Sequence, residues 1–129
     1  MKIIDCFMYY DEDMVLDIRL NILNKYVSHF IICEANFNHN GTKREFLFDI
    51  NKFSKFREKI IYLQLNDKPQ NLKELKDSDS KLVKNSKILD NALERENFQR
   101  NFLKSKIQDF EDNDLIIISD VDEIPNLNN

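Results

Sequence analysis

The sequence predicts an α/β fold in which a mostly parallel β-sheet is flanked by helices. Short apolar runs of strand length alternate with longer segments whose apolar residues return at helical spacing, which is typical of α/β proteins. Residues 115–118 are continuously apolar, as central parallel strands buried on both faces are. A chain of 129 residues, 42% of them hydrophobic, is long enough to bury one core, so we expect a single domain.

Two strands and an intervening helix are predicted in the first 35 residues. Residues 3–8 form an apolar run that leads into Tyr9 and Tyr10, and residues 30–33 form a second run that ends in Glu34. Residues 11–27 have helical period, and their leading acidic residues favour a helix N-terminus. The apolar face of this segment is wide, which predicts a helix packed on the sheet.

The next segment combines a polar loop with a third strand. Residues 36–44 are polar and include Gly41, the only glycine of the chain. Residues 46–48 either extend the sheet or pack over it. A short helical turn is predicted at 53–56, and residues 59–65 are predicted to form a strand because their start is β-branched and apolar.

The last third of the chain predicts a long helix followed by a strand. Residues 66–86 are mostly polar and predict a solvated loop or weak helix. Helical period returns over residues 86–110, and Phe98 and Phe102 lie on a stripe beside the main one. The main stripe, expected to face the core, consists of Leu89, Leu93, Leu103, Ile107 and Phe110. The run at 114–119 then predicts a strand in the centre of the sheet.

Composition excludes several classes of protein. A single glycine excludes glycine-rich phosphate-binding loops, and a net charge of −4 gives no electrostatic basis for nucleic-acid binding. No run approaches the roughly 18 apolar residues of a membrane span, and the N-terminus does not resemble a signal peptide, so we expect a cytoplasmic protein. The two cysteines, Cys6 and Cys33, lie in apolar runs and are expected to be buried free thiols.

Polar residues that follow the predicted strands are the candidate binding residues. Ligands of open parallel sheets bind at the carboxyl ends of the strands, which here are followed by residues 9–11, 34–36 and 120–123. In extended backbone Asp120 and Asp122 point to the same side, which suits Mg²⁺ or Mn²⁺ completed by substrate phosphates. The alternative, equally open, is that these acids only form a turn or cap a helix.

A polar interruption of the long predicted helix is the second candidate. Glu96 and Arg100 occupy positions on the main stripe where apolar residues are expected. They form either an ordinary surface ion pair or a site in which Arg95 or Arg100 faces a phosphate and Glu96 or Gln99 holds the guanidinium group. The two histidines, His29 and His39, have no nucleophile or carboxylate at a suggestive spacing, and we expect no role for them.

Five collinear segments of the chain resemble glycosyltransferase family 17, which includes β-1,4-mannosyl-glycoprotein β-1,4-N-acetylglucosaminyltransferase. They are residues 2–8, 17–23, 34–36, 95–101 and 118–125, and the last two are the most specific. The sequence departs from the family pattern in the loop after Glu34, at Asn38 and at Arg44 and Glu45.

The resemblance implies a GT-A-like, Rossmann-like domain over residues 1–129 that binds a UDP-sugar, such as UDP-N-acetylglucosamine, and transfers the sugar with inversion. It implies that Asp120 and Asp122 form the metal and ribose site, that Asp120 also belongs to the donor-binding residues, and that the ion is Mn²⁺ or Mg²⁺. Arg95 and Arg100 would face the diphosphate, whereas four residues at or just after the ends of the first two strands would line the nucleotide pocket: Phe7, Tyr9, Asp11 and Glu34. The catalytic base is expected beyond Asn129, and the chain is therefore expected to be the donor-binding half of a larger unit, truncated after the Asp-x-Asp motif.

Three functional hypotheses follow from the sequence. The chain is a metal-dependent glycosyltransferase that acts on a glycan acceptor, with its second half elsewhere; or it is a catalytically incomplete nucleotide-sugar-binding module or pseudoenzyme; or it is an α/β domain whose acids are only structural. An apolar sheet edge left by a missing half would also favour self-association.

Overall fold

The computed structural model describes residues 1–107 and 110–128, and it contains four strands, two α-helices and a 3₁₀ segment. In chain order these are β1 (Ile3–Met8), α1 (Asp13–Leu23), β2 (His29–Ala35), the 3₁₀ segment (Ile50–Phe56), β3 (Ile60–Leu65), α2 (Lys81–Ser105) and β4 (Leu115–Ile118). Two residues of the helix predicted at 86–110, residues 108 and 109, lie outside the described residues.

The four strands form one parallel sheet in the order β3-β2-β1-β4. Ile4 of β1 lies opposite His29 of β2 on one side and opposite Ile116 of β4 on the other. This parallel sheet between helices confirms the α/β prediction. Because all strands run the same way, their carboxyl ends meet at one edge, where a ligand site is expected.

Each face of the sheet is covered by its own apolar cluster. On one face the buried residues of α1, Leu16, Leu20 and Leu23, pack with Phe7 and Phe30 of the sheet and with the 3₁₀ segment. On the other face Leu103 of α2 packs with Ile4, Cys6, Ile31 and Cys33. Both cysteines are free and buried, as predicted, and burial raises the pKa of each thiol to about 12.

The position of β4 corrects one prediction. This strand was expected in the centre of the sheet, but within the described residues it pairs with β1 alone and forms an edge. Leu115 and Ile118 remain 46% and 37% exposed. The central strands are β1 and β2, whose residues are nearly all buried. A continuous apolar run indicates a strand, but its place in the sheet depends on partners distant in sequence.

The face that α2 buries is a second correction. Leu89 and Leu93 of the predicted core stripe are 71% and 56% exposed, whereas Gln99 and Leu103 are buried. Leu103 belongs to the predicted stripe and does pack on the sheet, together with Phe98 and Phe102 of the neighbouring stripe. The helix also starts earlier than predicted, at Lys81, because the Ser80 side chain accepts a hydrogen bond from the Val83 N–H and caps it.

Residues 46–48 pack over the sheet rather than extending it. Phe48 stacks on Phe53 with ring centroids 5.8 Å apart and lies against Tyr9 and Tyr62. This aromatic group closes the core on the α1 side.

In the described part of the chain, neither helix combines the length and the apolarity that a bilayer crossing requires.

Candidate functional site

A cavity of about 370 Å³ lies where the carboxyl ends of β1 and β4 meet. Its walls come from four parts of the chain: the turn after β1 with the start of α1, the loop after β2, the middle of α2, and the segment after β4. The lining residues are Met8, Tyr10, Glu12, Val15, His39, Glu96, Asp120, Val121 and Asp122. The acids after β4 therefore lie in a concave site at the predicted edge of the sheet.

Residues 119–123, which we call the acid loop, bring three carboxylates together. Asp120 is half-buried and Asp122 and Glu123 are exposed, and one ligand oxygen from each lies within 4.8 Å of the others. A hydrogen bond to Asp120, followed by repulsion from Asp120 and Asp122, raises the pKa of Glu123 above its ordinary value. Crowded carboxylate oxygens with open access are the donor set that Mg²⁺ or Mn²⁺ prefers, so these residues fit a divalent ion.

The backbone of the acid loop is held from inside the protein by Arg19 of α1. Its Nη1 donates to the carbonyl oxygens of Asp120 at 2.8 Å and of Glu123 at 3.0 Å. The Glu123 N–H also donates to the Asp120 carbonyl at 2.9 Å, which closes a turn. Sequence reasoning missed Arg19 as a site residue, although an arginine between Leu16 and Leu20 on a buried helix face was the available signal.

Arg100 links α2 to the acid loop. Its Nη2 lies 3.0 Å from Glu96 Oε1 and 3.3 Å from Asp120 Oδ1. The ion pair with Glu96 is therefore formed, and the same guanidinium reaches the first acid of the loop. The Arg100 side chain is 40% exposed, so this contact is open to solvent and to an incoming anion.

Arg95 holds the loop after β2 rather than lining the cavity. Its Nη1 donates to the His39 carbonyl at 2.8 Å. Gly41 turns beneath it at φ +90°, and a Cβ there would lie 2.6 Å from the Arg95 guanidinium. The single glycine thus permits a left-handed turn and the close approach of this arginine.

Tyr10 and His39 form the aromatic wall of the cavity. Their rings meet edge to face, with centroids 5.2 Å apart, and His39 Nε2 is hydrogen-bonded to the Tyr10 hydroxyl. The same hydroxyl donates to Oε1 of the buried Gln99. The sequence suggests no role for His39. This contact could not be foreseen from it, because Tyr10 lies 29 residues away along the chain.

The remaining predicted donor-binding residues lie behind or beside the cavity. Phe7 and Tyr9 are fully buried in the core on the α1 side, and the Tyr9 hydroxyl donates to Asp13. Asp11 is exposed in the turn after β1. Within the predicted stretch 7–11, Met8 and Tyr10 are the residues that line the cavity, and neither was a predicted site residue.

Glu34 is buried and anchors the segment that crosses the sheet edge. It accepts hydrogen bonds from the backbone N–H groups of Leu47 and Phe48 and from the Tyr62 hydroxyl, and it pairs with Arg44 at 2.9 Å. The buried carboxylate of Glu34 is occupied by these four contacts, which indicates that Glu34 supports the fold beside the cavity. The structure brings Asp120, Asp122 and Arg100 together and places Phe7, Tyr9 and Glu34 in the interior.

Comparison with known proteins gives one match. The family model of glycosyltransferase family 17 matches residues 1–129. Neither the curated proteins nor the solved structures contain a match to the chain. The match covers the whole sequence, including both strands that lead into the cavity and the acid loop itself. The chain belongs to glycosyltransferase family 17.

Proposed function

We propose that the chain binds a UDP-sugar, UDP-N-acetylglucosamine in particular, through Mn²⁺ or Mg²⁺ held by Asp120 and Asp122, and that it serves an inverting sugar transfer to a glycan acceptor. Family membership supports glycosyl transfer, which requires a nucleotide-sugar donor and an acceptor. The observation that carries the proposal is the placement of Asp120 and Asp122 in one cavity with Tyr10 and His39.

The acid loop supplies the metal ligands in this proposal. Asp120 and Asp122 each offer carboxylate oxygens, and Glu123 lies close enough to offer a third. When bound, the ion would offset the negative charge that develops on the departing nucleoside diphosphate. The exposure of Asp122 and Glu123 leaves room for water and phosphate oxygens in the coordination shell.

Arg100 and the aromatic wall supply the other contacts of the proposed donor. Arg100 Nη2 lies 3.3 Å from Asp120 Oδ1, and the guanidinium is accessible to solvent. It would therefore offer a diphosphate in the cavity a second positive charge beside the metal ion. The rings of Tyr10 and His39 give the opposite wall an apolar surface with a polar edge. Such a surface suits a planar uracil base.

The test is UDP binding measured by titration calorimetry with and without Mn²⁺. We expect Mn²⁺ to strengthen UDP binding and Asp122→Ala to remove most of that gain, a loss on the order of tenfold or more. Asp77→Ala is the matched control, because Asp77 is an exposed carboxylate in the segment before α2. The proposal is contradicted if UDP does not bind, or if its affinity is the same with and without Mn²⁺ and in the wild type and Asp122→Ala.

A second measurement separates transfer from binding alone. Release of UDP from UDP-N-acetylglucosamine, with and without glycan acceptors, reports catalysis by the chain. Metal-dependent UDP binding with no sugar release or transfer favours the nucleotide-sugar-binding module over the transferase. Equal binding of UDP-glucose and UDP-N-acetylglucosamine would contradict the assigned sugar.

A further inference from the structure

We propose that Arg19, paired with Asp5, is the positioning residue of the cavity: it fixes the backbone of the acid loop so that Asp120 and Asp122 face the cavity. The inference rests on the proposed function only in taking the acid loop as the metal-binding element. Neither Arg19 nor Asp5 lines the cavity, so both would act through the loop.

Arg19 and Asp5 form an ion pair with no solvent exposure. Arg19 Nε lies 2.8 Å from Asp5 Oδ2, and Nη2 lies 2.6 Å from Asp5 Oδ1, so the pair is bidentate. Asp5 lies in the middle of β1, opposite Ile117 of β4. The Arg19 guanidinium carbon also sits 4.7 Å from the centroid of the Phe7 ring. These contacts hold the guanidinium plane rigidly within the core.

The donors that face away from Asp5 all go to the acid loop. Nη1 reaches the carbonyl oxygens of Asp120 at 2.8 Å, Glu123 at 3.0 Å and Val121 at 3.3 Å. Nη2 donates to the Ser119 hydroxyl at 2.7 Å, and that hydroxyl donates in turn to the Glu123 carbonyl at 3.1 Å. Every nitrogen of the guanidinium is therefore engaged.

This convergence imposes the shape of the loop. Three carbonyls of a five-residue segment meet one nitrogen, so the chain must curl around it. The carbonyl oxygens point inward toward Arg19, while the carboxylates of Asp120 and Asp122 line the cavity. Because the carbonyl groups of the loop already accept hydrogen bonds from Arg19, they have no need to face the cavity.

Fold stability alone does not account for the buried pair. Leu16, Leu20 and Leu23 surround Arg19 on the buried face of α1, and an apolar residue at position 19 would continue that face. Replacing a buried ion pair with apolar residues of similar volume is often neutral or stabilising. An apolar residue cannot, however, donate to the loop carbonyls. Lysine offers three donors at one point and cannot span Asp5 and the loop together.

The test compares the double variant Asp5→Leu/Arg19→Met with the wild type in three measurements: the melting temperature, amide hydrogen exchange of residues 119–123 without metal, and Mn²⁺ affinity by calorimetry. We expect the double variant to stay folded with a melting temperature near that of the wild type. Its loop amides should exchange faster, and Mn²⁺ should bind about 10- to 100-fold more weakly, as when the hydrogen bonds that orient the ligands of a metal site are lost.

Two further variants keep the test decisive. If the double variant fails to fold, Arg19→Lys replaces it in the test, because lysine keeps a cation beside Asp5. We expect Arg19→Lys to lose loop protection and Mn²⁺ affinity in the same way. Leu20→Ala is the matched control, because Leu20 is fully buried on the same helix. It should lower the melting temperature while leaving Mn²⁺ affinity unchanged under conditions where the protein is folded.

Unchanged loop exchange, or unchanged Mn²⁺ affinity, in the folded Arg19 variants overturns the inference. Wild-type protein that binds no Mn²⁺ overturns the proposed function instead, and the exchange rates alone then decide whether Arg19 holds the loop.

Discussion

Asp11 holds a backbone conformation that residues with side chains rarely adopt, with φ at +100°. It stands in the turn between β1 and α1, directly beside the Tyr10 wall of the cavity. Aspartate tolerates this region better than most residues, but the strain remains. The only glycine of the chain lies elsewhere, so the positive φ of the turn beside the cavity falls on an aspartate, Asp11.

Substitutions at Asp11 should report this strain. We expect Asp11→Val to lower the free energy of unfolding by about 1–3 kcal/mol, because a β-branched residue is a poor fit to positive φ. Asp11→Gly should cost little, because glycine adopts this φ freely. Urea denaturation of both variants measures the difference. Equal stability of the two variants would show that the conformation of residue 11 is not strained.

Glu123 makes the stability of the metal-free protein depend on pH. Its pKa is raised above the ordinary 4.5 by the hydrogen bond to Asp120 and by repulsion from the neighbouring acids. The folded state therefore holds more protons than the unfolded state in the window just above pH 4.5, so the contribution of this group to stability falls as pH rises through that window.

The variant Glu123→Gln should flatten this part of the pH profile. Urea midpoints measured between about pH 4 and pH 7 would show the change in slope. Glu45→Gln is the matched control, because Glu45 is an exposed glutamate in the loop after β2. An unchanged slope in Glu123→Gln would mean that the pKa of Glu123 is not raised in the folded protein.

Residue-level patterns singled out the acids that line the cavity but not the groups that hold them. Asp120 and Asp122 were recognisable because they directly follow an apolar strand, and position after a strand is a local property. Arg19 and His39 were not recognised, since Ser119, a partner of Arg19 in the acid loop, lies 100 residues away and Tyr10, the partner of His39, lies 29 residues away. The ion pair of Glu96 with Arg100 could be predicted from its helical spacing, but the reach of Arg100 to Asp120 could not.

At the level of elements, α2 shows where helical periodicity loses its predictive power. Its sequence carries two adjacent apolar stripes, and either could face a sheet. The structure packs Phe98 and Phe102 of one stripe and Leu103 of the other on the sheet, and it leaves Leu89 and Leu93 exposed. The strands β1, β2 and β3 fall within one or two residues of their predicted bounds, because a short apolar run bounded by polar residues defines a strand locally.

Two leucines of α2 test its orientation. Leu103→Ala should lower the free energy of unfolding by about 2–5 kcal/mol, because Leu103 has no exposure and its loss leaves a cavity. Leu93→Ala should change it by less than about 0.5 kcal/mol, because Leu93 is 56% exposed. Denaturant midpoints measure both. Similar costs at the two positions would mean that Leu93 is buried along with Leu103, as the predicted stripe requires.

At the scale of the whole molecule, the fold class was predictable and the arrangement of the strands was not. Alternation of strands and helices is visible along the chain, whereas the order β3-β2-β1-β4 depends on which strands meet. The edge position of β4 matters for the site, because it places the acid loop at the rim of the sheet. The cavity could be located at the carboxyl edge in advance, but its aromatic wall required the three-dimensional structure.

The two buried thiols should report unfolding of the whole molecule. With pKa values of about 12 and no exposure, Cys6 and Cys33 should react with a disulfide reagent at pH 8 only when the protein opens. The labelling rate should therefore rise in Leu103→Ala and stay at the wild-type value in Leu93→Ala. Fast labelling of either thiol in the stable native protein would contradict the burial described above.

The contact of Arg19 with the acid loop also has a consequence for the order of folding. β1 meets β2 after a short chain segment, but Ile3 meets Leu115 only after 112 residues, and Arg19 finds Ser119 after 100. Contacts at such separations are slow to form because closing a long loop costs more chain entropy. We expect pulsed hydrogen exchange to protect the amides of β1 and β2 before that of Glu123, and simultaneous protection would refute this order. During refolding, Arg19 would therefore pair with Asp5 before it forms its hydrogen bonds to the acid loop. The cavity would then be the last part of the protein to form.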